Sequence, residues 1–347
     1  MRKEIEVGSR TISLSSPIFV VAECGVTCNY DVEMTKQLID VVGVAGADAI
    51  KLIFWFPEEI MSDRSTIYKY RTLEGLREEN MFDMLSKLQF ALWEWEEIKA
   101  YADSKDVILF STVNSPSGID WGKELDLDAY KLSSWDYNYH SLYREIAKLG
   151  KPMILDTGPV YPKELAKVLS IIEEEGNDQV ILVHTFHTGI LEQMNMTSIP
   201  YLATTYDCLV GYSPPSIESE LDFVAVALGA TMLEKRLTLD RSLPGHHHIQ
   251  SMEPGEFELY VKQVRDIQTA IGGFRLEPSD NDLEERKKWF RHLVPSKDLP
   301  KGHILTEADL EAKRGESGIS PVDVEYLIGR KLSKSVKVDE TLHWEDL

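Results

Sequence analysis

The chain has 347 residues, 43% hydrophobic and 27% charged, which suits a folded globular protein with one large domain and one small one. A formal net charge of −21 argues against a nucleic-acid-binding surface, which needs clustered Lys and Arg, but local positive charge in a pocket can still hold an anionic small substrate. Cys24, Cys28 and Cys208 are too few and too unevenly spaced for a disulfide framework or zinc knuckle; with no apolar leader or membrane-length run, a reduced, cytoplasmic setting is expected.

In chain order, Glu4 to Val7 and Thr11 to Leu14 alternate around Gly8-Ser9-Arg10 and predict a small hairpin, placed to plug the N-terminal mouth of a barrel. Ile18 to Ala22 is the first buried strand, followed by a helix from the N-cap Asp31 to Val44. A strand at Ala47 to Leu52 leads into a long polar connection, Trp55 to Asn80, of the kind that forms lids or binding segments. Phe82 to Ala102 reads as one helix. Further strands follow at Val107 to Phe110, Ala129 to Leu132, Met153 to Leu155 and Val180 to Val183, and two more begin at Leu209 and Ala230, joined by a helical run from Leu221 to Gly229. Eight strands alternating with helices over about 250 residues predict an α/β fold, a (βα)8 TIM barrel.

Polar residues gather just after the apolar runs, where barrel active sites lie, so Glu23, Lys51, Thr112, Lys131, Thr157, His184, Ser213 and Glu234 are expected to converge. Composition divides the chain into 1–274, barrel with its hairpin; 275–289, a polar linker; and 290–347, a small separate domain.

Between Leu209 and Pro254 the chain carries Gly211-Tyr212-Ser213-Pro214-Pro215-Ser216, then Ala225-Val226-Ala227-Leu228-Gly229-Ala230, Glu234-Lys235-Arg236-Leu237-Thr238-Leu239-Asp240 and Gly245-His246-His247-His248. This frame resembles the sialic acid synthases and their spore-coat-polysaccharide relatives, and Ser296 to Leu347 is similar to the β-rich antifreeze-like (SAF) domain that ends that family. The resemblance implies condensation of phosphoenolpyruvate with a sugar aldehyde to give an α-keto acid and phosphate. It assigns phosphoenolpyruvate to Lys51, Thr112, Lys131, Ser134, Thr157 and Ser213, and acid–base chemistry to Glu23 and Glu234. It places the acceptor near Asp136, His247 and Arg314, the last implying a domain-swapped homodimer.

The family's two metal-binding histidines fall on Pro215 and Arg236, neither of which is an ordinary ligand. Two outcomes stay open. Arg236 replaces the ion as electrophile and no cofactor is required, or members of the triplet His246, His247 and His248, with His184 or His187, rebuild a site for a manganese-like divalent ion. Changed substrate-side residues, such as Leu52-Ile53 and Trp135-Asp136, point to a non-standard acceptor. A lyase or aldolase using Lys51 or Lys131 as a Schiff base, and a non-catalytic anion-binding paralogue, are the alternatives.

Overall fold

The computed structural model describes residues 1–186, 188–273 and 276–347. His187 and the predicted boundary between residues 274 and 275 lie outside the described residues. The chain forms two compact units, Met1–Gly272 and Gly273–Leu347.

The first unit opens with a hairpin of β1 (Glu4–Val7) and β2 (Arg10–Ser13). The barrel strands are β3 (Phe19–Glu23) and β4 (Ala49–Ile53), then, after a second hairpin of β5 (Ile67–Thr72) and β6 (Gly75–Asn80), β7 (Ile108–Thr112), β8 (Tyr130–Leu132), β9 (Met153–Asp156), β10 (Val180–His184), β11 (Leu209–Tyr212) and β12 (Met232–Arg236). They close in sequence order, all parallel, with β12 pairing back to β3 in the register Met232↔Phe19 to Arg236↔Glu23. Strands buried on both faces read as near-continuous apolar runs, and these do.

Alternation along each strand divides the barrel's interior from its helix layer. Phe19, Val21, Ala49, Phe110, Ile154 and Met232 face inward and pack with Ile5, Val7 and Ile12 of the first hairpin, which closes the N-terminal end. Tyr212, Leu233, Leu182 and Leu155 face outward and pack with the helices. Among the described residues, a helix of eight or more residues follows each strand before the next barrel strand begins, from Val32–Ala45 to Pro254–Ile271. The first starts as its sequence dictates, with Asp31 accepting from the Met34 amide.

Three expectations change. The helix read over 82–102 is two, Met81–Lys87 and Leu92–Ser104. Phe90 is drawn into the core against Tyr30 and Trp95, with ring centroids 4.7 and 5.7 Å away, and Glu94 reaches back to the Ala91 amide to start the second helix. Packing thus overrides helix propensity. The long polar connection carries the β5–β6 hairpin, turning at Gly75 (φ 125°). In the polar stretch read as a linker, Ser279 and Asp282 form a reciprocal cap that starts a helix, Asp280–Trp289.

In the second unit β13 (Arg291–Pro295) pairs antiparallel with β14 (Leu310–Arg314), and single bridges join Leu299 to Val336 and Ile304 to Lys331. Its core is aliphatic, centred on Leu293, Leu305, Leu327 and Leu342.

Candidate active site

The inward phase of each strand continues past the apolar core into charged residues at the C-terminal end. Val21 is followed two residues on by Glu23, Ala49 by Lys51, Ala129 by Lys131, Ile154 by Asp156 and Met232 by Glu234. These meet across the barrel. Glu234 Oε1 accepts from Lys51 Nζ at 3.1 Å, and Glu234 Oε2 from Lys131 Nζ at 2.8 Å. Asp156 Oδ1 lies 2.8 Å from Lys131 Nζ, and Glu23 Oε1 lies 3.4 Å from Lys51 Nζ. The Ser213 hydroxyl donates to Glu234 Oε1 at 3.4 Å. Thr112 is buried in the same inward phase as Phe110, and Ser134 is buried in the 3-10 turn directly after β8.

Burial opposes charge on Glu234, Lys131 and Asp156, and for the first two the ion pairs decide the outcome. Burial would raise Glu234, but Lys131 and Lys51 hold its carboxyl well below the ordinary value. Burial would lower Lys131, but Asp156 and Glu234 hold it firmly as ammonium. Asp156 is the exception: burial raises its carboxyl, and Lys131, already shared with Glu234, does not restore it.

Arg236, at the end of β12, completes the mouth. Its Nε is 3.7 Å from Glu23 Oε2, and one terminal amine donates to Gln250 Oε1 at 3.1 Å and to the Pro215 carbonyl at 3.4 Å. Glu23 Oε1 accepts from the Gly25 amide at 2.9 Å, whereas Glu23 Oε2 is buried and accepts no hydrogen bond. Gly25 is required there, since a Cβ would lie 2.4 Å from the Ile53 side chain and 2.7 Å from Glu23 Oε1.

Above the mouth, the His246 ring lies against Tyr68 and Tyr70 of β5, with centroids 5.4 and 5.6 Å away, and 4.5 Å from His247. His247 takes a left-handed backbone (φ 72°), and its buried Nδ1 has no hydrogen-bond partner. Burial, with the nearby Arg236 cation, pushes the His247 imidazole well below its ordinary value. His248 anchors the loop, Nδ1 to the Thr238 hydroxyl at 2.7 Å and Nε2 to Asn29 Oδ1 at 3.1 Å.

The remaining named residues make contacts outside this network. His184 is out of phase with the interior: it stacks on the outward Tyr212, and its Nε2 meets the Met194 carbonyl at 2.8 Å. The Thr157 hydroxyl donates to the Val183 carbonyl, so the side chain that β9 delivers inward is Asp156. Asp136, half-buried after β8, has its carboxyl pushed up to about 6 by burial. Arg314 is exposed in the second unit, its guanidinium 5.5 Å from the Trp289 ring.

Of the histidines expected to rebuild a metal site, His246 lies beside His247, while His248 and His184 are held by other partners. Both His248 ring nitrogens are engaged, His184 faces the helices, and among the described residues no three His, Cys, Asp or Glu side chains are grouped to hold an ion. With a guanidinium at one of the family's two ligand positions and a proline at the other, the residues present do not fit a divalent metal.

Residues 38–275 match the NeuB family model and residues 290–347 the SAF domain model. The chain belongs to the NeuB family. It is 30% identical to a pseudaminic acid synthase of Campylobacter jejuni, over 95% of this chain and 96% of the relative. It is 29% identical to an N,N'-diacetyllegionaminic acid synthase of the same organism, over 93% and 98%. An N-acetylneuraminic acid synthetase of Leptospira borgpetersenii, solved in complex with citrate, is similar in structure with a TM-score of 0.73 and 26% identity, over 82% of this chain and 95% of that one.

Asp156 and Gln250 are the site residues that sequence reasoning missed. Counting by two from Ile154 finds Asp156; no local pattern marks Gln250, which reaches back to Arg236 from the 3-10 turn His248–Gln250 in the connection after β12.

Proposed function

We propose that the chain is a phosphoenolpyruvate-dependent synthase that forms a carbon–carbon bond to a non-standard sugar aldehyde, with Arg236 in place of a metal. The observation that carries this reading is the pair of buried ammonium groups, Lys51 and Lys131, brought from β4 and β8 onto the two oxygens of Glu234. Two fixed, buried cations suit the carboxylate and phosphate of one small ligand with two anionic groups. Thr112, Ser134 and Ser213 add hydroxyls.

C3 of the enol attacks the aldehyde carbon, and the Arg236 guanidinium stabilises the developing alkoxide as a fixed cation. Water then adds at C2, its proton passing to Glu23, whose Oε2 accepts no other hydrogen bond. Cleavage of the C2–O bond sends its electron pair out on phosphate and leaves the ketone. One water proton ends on the new hydroxyl and the other on phosphate, so the reaction balances without a redox partner. A Schiff-base lyase needs a neutral amine, and two carboxylates hold Lys131 as ammonium.

The homodimer in which Arg314 of one chain reaches an acceptor held by the other belongs to the same proposal. The test is phosphate release from phosphoenolpyruvate with a panel of amino-sugar and neutral-sugar aldehydes, with EDTA or with manganese. Release persists in EDTA. Arg236→Gln lowers kcat by about 10²- to 10³-fold, the usual cost of one lost oxyanion donor, and leaves phosphoenolpyruvate binding within about threefold. Activity abolished by EDTA and restored by manganese would overturn the role of Arg236, and no release with any aldehyde would overturn the synthase.

A further inference from the structure

Within the network, Lys51, Lys131 and Arg236 stand against Glu23, Asp156 and Glu234, three formal positive charges against three negative. The balance is local as well as total. Lys131, 1% exposed at its side chain, lies 2.8 Å from both Asp156 Oδ1 and Glu234 Oε2, so its positive charge is spent before any ligand arrives. A phosphate monoester with a second pKa of about 6 is a dianion at neutral pH. Seating it on Lys131 places its charge beside two carboxylates in a low-dielectric interior, where like charges within a few ångströms cannot all stay ionised. One of the crowded acids, a carboxyl or the phosphate itself, must take a proton.

The arrangement selects which one. Glu234 has two ammonium partners, Lys51 and Lys131, and accepts from Ser213 as well. Glu23 is fixed by the Gly25 amide and lies beside Lys51 and Arg236. Asp156 has the single ammonium that Glu234 also uses. The other groups that bear on it do not offset burial: Lys51 favours the carboxylate less than Lys131 does and is hydrogen-bonded to Glu234, the Glu234 charge opposes it, and Tyr137 and Tyr143 are buried phenols. Burial already favours the protonated form of this carboxyl.

We propose that Asp156 gates the anion subsite at Lys131, so that a phosphate-bearing ligand binds only together with a proton taken up by this carboxyl. Protonated Asp156 releases Lys131 to the phosphate and becomes a hydrogen-bond donor to it. When phosphate departs, the proton leaves with it, and Asp156 returns as a carboxylate to Lys131. The inference rests on the synthase reading for the identity of the ligand, but not for the gate, which needs only a phosphate monoester.

The test is calorimetric titration of the full chain with phosphoenolpyruvate and with methyl phosphate at about pH 8, where both ligands are fully ionised, in two buffers of different ionisation enthalpy. Wild type takes up close to one proton per ligand bound, and its affinity falls about tenfold per pH unit above neutrality. Asp156→Asn and Asp156→Ser bind without that uptake, more tightly, and with little pH dependence. Binding to the variants alone also supports the gate, because it then stays shut in wild type. Wild-type binding without proton uptake, equal uptake in the variants, or no binding of either ligand by any of the three proteins would overturn it. Failure of the synthase reading alone would show as proton-coupled binding of methyl phosphate with no phosphate release from phosphoenolpyruvate and any aldehyde.

Discussion

Glu234 accepts from two ammonium groups at once, Lys51 at 3.1 Å and Lys131 at 2.8 Å, in a position only 4% exposed. Removing its charge leaves Lys51 with only Glu23 and Lys131 with only Asp156, and a broken buried pair costs more than the pair ever contributed. Glu234→Gln is therefore expected to lower stability by about 3 kcal/mol, read from urea denaturation, besides abolishing turnover. Much of this site was legible residue by residue, because a side chain two places beyond an inward apolar one must also face inward. That rule places Glu23, Lys51, Lys131 and Glu234, and applied to β9 it places Asp156 rather than Thr157, expected there as a polar residue after an apolar run. The same rule removes His184, which shares the outward face of Tyr212. Gln250 was beyond reach: its contact with Arg236 depends on a loop path that no periodicity records.

At the scale of elements, buried parallel strands announce themselves as apolar runs, so the barrel strands were legible to within a few residues. The β5–β6 hairpin was not, since its residues are largely exposed and polar and its order comes from pairing and from Tyr68 and Tyr70 against His246. In the second unit, the short turn before β14 is held by one buried carboxylate. Asp309 accepts from the Thr306 amide and hydroxyl at 3.0 and 2.7 Å and lies 2.9 Å from both His303 and Lys297. These partners, His303 first, hold its carboxyl below the usual value of 3.8. A carboxyl depressed in the folded state contributes stability above its unfolded value and loses it as pH falls below. An acid titration of the full chain followed by circular dichroism should show this loss below about pH 4, and Asp309→Asn, starting less stable, should lose less over the same range.

For the whole molecule, the sequence gives a net charge of −21, yet the mouth balances positive against negative charge almost residue for residue. No helix among the described residues is long and apolar enough to cross a membrane. The hairpin plug of Ile5, Val7 and Ile12 makes the barrel a cul-de-sac. Lys131 lies deep, 1% exposed, and Arg236, 21% exposed, at the rim, so a ligand bound for Lys131 is expected to enter past Arg236. Traffic is then last in, first out. The anion must arrive before the aldehyde and depart after the keto acid, so initial-rate kinetics should be sequential and ordered, with phosphate competitive against phosphoenolpyruvate and the keto acid not. A random-order pattern would mean that the rim lets one ligand slip past the other.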